Sequence, residues 1–385
     1  MVNGTAVLVV DLGNSETRVI TKFGTTQKGN PRWKLRNLSN RYNIIPDSKV
    51  DQYLTGGVYT SEKSKIFNMG GTYYSSGELC DVEFGSTAVR PTALEKKYDS
   101  LVSKLTLNTA FCVGYEMISE MTNSDMSSVC VEWDVVLLLP PDDIELGAKK
   151  LADMVRSITQ VNFKMPELSK EVKVNKVNIF PEGFAALISV LFESKNKVRE
   201  EYKYLLEPDV TTLICDIGAG TTDFVLARGS NVVSSSRFTR EIGGNNVHQR
   251  VRRLLKERGI ALSDSAVRLG CERGYVKSGA SKKSIIDELS TAKRDVSRQL
   301  VDAVQEFFEN NMMPILGINN ILVVGGGAES SEEKGIDPIS MYIIDFMKRL
   351  SPDINLVEIP EVEIDGVARR SPRLLNIIGA AILAG

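Results

Sequence analysis

Histidine is nearly absent: the chain of 385 residues has one, His248. Cysteine is sparse and odd in number. Cys80, Cys112, Cys130, Cys215 and Cys271 have neither the spacing of a metal site nor that of a disulfide framework, which points to a reducing, cytoplasmic setting. No charge of one sign dominates. The formal net charge is −2, so no basic excess argues for direct contact with nucleic acid, and weak self-repulsion permits self-association. Long apolar runs are missing too. The longest, Leu374–Ala384, contains Asn376 and Gly379 and is too short to span a bilayer. The N-terminus enters a strand with no charged-then-apolar leader. The expectation is a soluble protein, neither secreted nor embedded in a membrane.

What is present is an ordinary globular composition, 42% hydrophobic and 25% charged, in a chain long enough for two domains with cores of their own. The most informative stretch is Leu213–Leu226, LICDIGAGTTDFVL. An apolar run reaches Asp216. Gly218, Ala219, Gly220, Thr221, Thr222 and Asp223 follow, and a second apolar run begins at once. Two β runs around a Gly/Thr turn predict a hairpin. Its tip offers backbone N–H groups that no side chain screens, a nest suited to phosphate. Asp216 at the end of the incoming strand would repel bare phosphate, and makes sense with a hard cation such as Mg²⁺ between them. With Asp216 so committed, His248 has no Ser-His-Asp triad to complete and reads as an ordinary helix residue.

An Asp-x-Gly turn alone is also a common hairpin turn. The N-terminus repeats the order, however: VLVVDLGNSETRVI carries Asp11, Gly13, Asn14, Ser15 and Thr17. Two nests facing each other would clamp a polyphosphate. The pair resembles the two phosphate motifs of the actin, sugar-kinase and heat-shock-chaperone ATPase superfamily. Three further segments fit in order: Phe180–Leu191 as the first connecting helix, Ile321–Ser330 (ILVVGGGAES) as the adenosine motif, and Ser371–Gly385 as the second connecting helix. Within the superfamily the likeness is greatest to bacterial actins of the plasmid-segregating, ParM-like type.

That resemblance implies an α/β fold of two related actin-like (ribonuclease H-like) domains around a nucleotide cleft. The first would span 1–205, with a small subdomain inserted at about 30–92 and a hairpin at Gly70-Gly71. The second would span 206–385, with a final helix over 372–384 returning to the hinge. Asp11 and Asp216 would hold the metal's water shell, and N–H groups around Gly13, Asn14, Ser15 and Gly218–Thr221 would cradle phosphates. Arg18 stands where actins have a phosphate-reaching Lys; a solvated strand residue is the other reading. Glu182 corresponds to the Glu that orients or deprotonates the attacking water, and is also a common choice at a helix start. Gly243-Gly244 opens a helix near the phosphates or is only a tight turn. Glu272 and Lys277 are candidates for the ribose and adenine edge, or an exposed ion pair. Gly325, Gly326 and Gly327 would let purine and ribose lie against backbone; half of a dinucleotide site is disfavoured, because the full glycine spacing and the distal acid are missing.

The remaining elements follow from periodicity. Helices are predicted from Thr92 to about Met121, from Asp142 to about Thr159, over Ile285–Phe308 and over Ile339–Leu350. Buried strands are predicted at Trp133–Leu139, Val172–Ile179 and Asn320–Val324. Pro314 marks a break, and Ser371-Pro372 starts the last helix. The functional expectation is a nucleoside triphosphatase using ATP or GTP with Mg²⁺ that forms filaments by head-to-tail self-association, segregates plasmid DNA through an adaptor protein, and touches DNA only indirectly. A cell-shape or division actin is the near alternative, although neither terminus offers a membrane-binding amphipathic end. A small-molecule kinase of the same superfamily is the other, although no sugar-binding motif is evident. A chaperone would need a further domain after the ATPase.

Overall fold

The computed structural model describes residues 1–25, 31–84, 87–91, 95–233, 236–278, 281–310, 317–329, 338–364 and 367–385. Two sheets with the same strand order carry the two hairpins. One runs Lys173–Pro181, Val129–Leu139, Val2–Asp11, Thr17–Thr25, Pro31–Leu38. The other runs Asn355–Leu356, Asn320–Val324, Thr211–Ile217, Thr222–Arg228, Asn231–Val232. In each, the aspartate-bearing strand pairs antiparallel with its hairpin partner and parallel with its other neighbour. The registers also correspond. Asp11 faces Arg18 across the first hairpin, and Asp216 faces Asp223 across the second.

Each sheet has its own core. In the first, Trp133 is fully buried, with Phe111 and Tyr115 edge-on at 5.9 and 5.2 Å between ring centroids, an arrangement that favours aromatic pairs. In the second, Phe224, Phe238 and Phe307 meet in a triangle. The helix Ile286–Asn310 presents Leu289, Val296, Leu300, Val304 and Phe307 to that core, a stripe of helical period.

Two apolar helices join the halves. Ala186, Leu187 and Val190 of Phe184–Leu191 pack on Ile214, Val225 and Leu322 of the second sheet. Ile377, Ile378 and Ala381 of Leu375–Ala384 pack on Val9, Ile20 and Val136 of the first. They cross so closely that a Cβ on Gly379 would sit 1.6 Å from the Ala185 carbonyl oxygen. Only glycine fits at that crossing.

The structure differs from the sequence reading in several places. The helix expected from Thr92 begins at Leu101, because Ser100 accepts the N–H groups of Val102 and Ser103 and sets its start. Thr92 and Leu94 lie outside the described residues, as do Gly279, Pro314 and Ser330. The helix expected to reach Thr159 ends at Arg156. The following strands Gln160–Met165 and Glu167–Glu171 join Tyr42–Ile45, Thr72–Gly77 and Ser64–Met69 in a separate five-stranded sheet. The small lobe expected at 30–92 is therefore built from two stretches of chain, and Pro31–Leu38 belongs to the first large sheet. Ser371 does not cap the last helix; its hydroxyl donates to Glu329 at 2.7 Å, and a 3₁₀ turn, Pro372–Leu374, leads into Leu375–Ala384. Among the described residues no helix is long and apolar enough to cross a membrane.

Candidate active site

The two hairpin tips, the start of Phe184–Leu191 and the turn after Asn320–Val324 open onto one cavity of about 620 Å³, within the range of small-molecule sites. Asp11, Gly13, Asn14, Ser15 and Arg18 line it from the first half. Asp216, Gly218, Ala219, Thr221, Gly244, Glu272 and Gly325–Gly327 line it from the second, and Glu182 lies between. Asp11, Glu182 and Asp216 are all buried. Each occupies the end of a strand or the turn just after one, so the sheets point all three carboxylates into the same space.

Their contacts are specific. The Arg18 guanidinium donates to Asp11 at 3.3 Å and reaches Glu16 at 3.4 Å. Lys97 Nζ donates to Glu182 Oε1 at 2.5 Å. Asn376, on the last helix, donates from Nδ2 to Asp216 Oδ2 at 2.5 Å, and its Oδ1 accepts the Gly183 N–H at 2.9 Å. One amide thus ties the start of one connecting helix to the second hairpin's carboxylate. Gly325, at φ +83°, approaches so closely that a Cβ would lie 2.6 Å from Asp216 Oδ1, which makes glycine the residue this turn requires.

Carboxylates outnumber cations here. Burial, reinforced by Glu182 and Asp11, pushes Asp216 up to about 7, against the opposing hydrogen bond from Asn376. Burial also raises Glu182, which Lys97 counteracts. Asp223, behind the second hairpin and bonded by the Thr239 hydroxyl at 2.5 Å, is held well above the ordinary range by burial and by Glu182. Burial would lower Lys97, but the surrounding Glu182 and Asp11 outweigh it and raise the ammonium. His248 lines the cavity, and burial with the nearby Arg268 pushes it down to about 4, so it is neutral at physiological pH. An excess of buried oxygen anions fits a hard divalent cation. Among the described residues no three acidic, histidine or cysteine side chains form a metal cage, so a cation at Asp11 and Asp216 would share ligand oxygens.

Some predicted residues have other duties. The N–H of Gly13 closes onto Asp11 O, that of Gly218 onto Thr221 O, and that of Gly244 onto Gly218 O. These glycines shape the tips, and phosphate donors would have to come from their neighbours. Gly220 and Thr222 do not line the cavity; the Thr222 hydroxyl donates to Ile242 O at 2.6 Å. Gly243 is buried against the carbonyls of Gly218 and Ala219, docking its helix on the hairpin. Lys277 is exposed on the hairpin Tyr275–Ser278/Ser281–Ser284, opposite Lys282, and does not reach the cavity. Sequence reasoning missed Lys97, whose partner Glu182 lies 85 positions away. It also missed the role of Asn376, whose signal was a lone amide in an apolar helix, and that of Asp223, a carboxylate inside a buried strand.

Comparison with known proteins supplies the context. The family described as "Archaeal actin homologue MreB-like, C-terminal" matches residues 214–334. No curated protein matches the sequence. Solved structures match along the whole chain. A ParM from Clostridium botulinum, solved as a 15-stranded filament, is 16% identical with a TM-score of 0.67, covering 99% of each chain. The actin-like protein Alp7A is 16% identical with a TM-score of 0.70, covering 99% of this chain and 96% of that one. The fold is actin-like. The archaeal actin homologue Ta0583, in complex with ADP, is another neighbour: 14% identical, TM-score 0.62, covering 98% of this chain and 99% of that one. In this actin-like frame the carboxylate-lined cavity is the cleft between the two halves.

Proposed function

We propose that the chain is an actin-like nucleoside triphosphatase that polymerises with bound nucleotide. One observation carries the reading: Asp11 and Asp216, from equivalent positions of two equivalent sheets, line a single cavity with Glu182 beside them. The nucleotide would be ATP or GTP. Its phosphates would lie against the N–H groups of Asn14, Ser15, Ala219 and Thr221, and its base and ribose against Gly325–Gly327, with Glu272 at the edge. Arg18 would turn from Asp11 toward phosphate. Mg²⁺, held by Asp11 and Asp216 with phosphate oxygens, would neutralise charge that the site now concentrates.

In hydrolysis a water oxygen bonds to the terminal phosphorus, the bond to the bridging oxygen breaks, and the water's proton passes to the Glu182 carboxylate. The remaining catalysis is positioning and charge stabilisation. A triphosphate touching both halves, 1–205 and 206–385, favours the closed arrangement by its differential affinity, and loss of the terminal phosphate relaxes it. The solved ParM filament supports self-association as the use of this cycle. We further propose cytoplasmic filaments that segregate plasmid DNA through an adaptor, without membrane contact. Sedimentation with ATP, GTP or ADP, with phosphate release followed in parallel, tests the core. Nucleotide-dependent pelleting with phosphate release is expected. A chain that stays in the supernatant under every nucleotide, or phosphorylates an added sugar, would refute it.

A further inference from the structure

We infer that Lys97 is the ligand of the terminal phosphate and the positioning residue for Glu182, an inference that rests on the hydrolase reading above. Lys97 opens the 3₁₀ turn Lys97–Asp99, which is clamped on both sides. The Tyr98 ring fills the space left by Gly147, where a Cβ would come within 2.2 Å of it. Ser100 caps the following helix. The adjacent Lys96 diverges to Asp143 at 2.7 Å, with its side chain 56% exposed. Lys97 alone of the pair enters the cavity, with 15% of its side chain exposed against 11% for Glu182.

An ammonium has three donors, and Glu182 is the one hydrogen-bond partner of Lys97 among the described residues. Two donors therefore remain for a second anion in the same cavity. Arg18, on the first hairpin, must give up Asp11 to reach phosphate, whereas Lys97 can keep Glu182 and still donate to a second anion. Like charge also bears on Glu182, from Asp11, Asp143, Asp216 and Asp223. A terminal phosphoryl group arriving beside it would add more. The Lys97 ammonium, between carboxylate and phosphate, favours the ionised form of Glu182 against burial and aims it at the attacking water while holding the group that distinguishes triphosphate from diphosphate. A compact point charge suits this place better than a planar guanidinium.

The test uses the full chain with Lys97→Gln and Lys97→Arg. It measures affinity for Mg-ATP and Mg-ADP by displacement of a fluorescent nucleotide, and single-turnover phosphate release. Lys97→Gln is expected to weaken ATP by about 10-fold or more, leave ADP within about 2-fold, and slow release about 100-fold. Lys97→Arg should recover the ATP preference and less of the rate. If Lys97→Gln does not fold, Lys97→Gln with Glu182→Gln removes both buried charges together, and the ATP-to-ADP ratio is read there. Equal losses for ATP and ADP, or an unchanged release rate, would overturn the inference. A wild-type chain that binds ATP but releases no phosphate would overturn the hydrolase reading, and this role with it.

Discussion

Neutralising Asp216 should stabilise the empty protein and disable the nucleotide-bound one. In the fold its carboxyl is pushed from 3.8 up to about 7, chiefly by burial and then by Glu182. Unfolded, it titrates near its ordinary value. Between those values the unfolded chain binds fewer protons than the folded one, so stability falls as pH rises from about 4 to about 7. At about 1.4 kcal/mol per pH unit, that is about 4 kcal/mol in full. Sharing the repulsion with Glu182 reduces it to about 2–4 kcal/mol. Asp216→Asn keeps the shape and an oxygen for Asn376, and removes the charge. Without nucleotide or metal at pH 8, the variant should melt about 2–5 °C above wild type, with the gap closing toward pH 4. Added Mg-ATP should raise the melting temperature of wild type and leave the variant nearly unmoved. Thermal denaturation from pH 4 to pH 8, with and without Mg-ATP, checks both parts. Parallel pH profiles for the two proteins would refute the reasoning, because Asp216 could not then be the group that titrates against the fold.

Glu182→Ala should slow phosphate release by about 10²–10⁴-fold and leave long-lived polymer, checked by phosphate assay and sedimentation; rapid release would exclude Glu182 as proton acceptor. Gly379→Ala should destabilise the chain by about 3 kcal/mol or more, since its methyl would overlap the Ala185 carbonyl; urea denaturation reads this, and an unchanged midpoint would contradict the crossing. Lys277→Ala should leave nucleotide affinity within about 2-fold of wild type, as befits an exposed hairpin residue; titration with a fluorescent nucleotide checks it.

The parts of the fold legible in the sequence were those written in local pattern. The two Asp-x-Gly hairpins, the strand Asn320–Val324, the helical stripe from Leu289 to Phe307 and the small face at Gly379 each carry their signal within one element. Pairings across long separations were not legible. Nothing in residues 160–171 says that they complete a sheet begun at Tyr42, because strand partners are chosen by the packing of the whole lobe. In the site, the carboxylates stood out because glycines flank them. Lys97 did not, since an ion pair spanning 85 positions leaves no local trace. The glycines misled in another way. The sequence gives their freedom but not their hydrogen bonds, and Gly13, Gly218 and Gly244 use theirs to close the turns.

The crossed connecting helices carry a consequence for how the molecule can be divided. Each large sheet has one face covered by a helix from the opposite portion of the chain: Leu375–Ala384 lies beneath the first sheet and Phe184–Leu191 beneath the second. Severing the polypeptide in the charged stretch near Lys195 would leave each fragment with an uncovered greasy strip and an orphaned helix. Neither piece would be content alone, yet the two together hold every missing complement. Such a pair, co-expressed, forms a natural basis for a split reporter whose reassembly rebuilds the hinge.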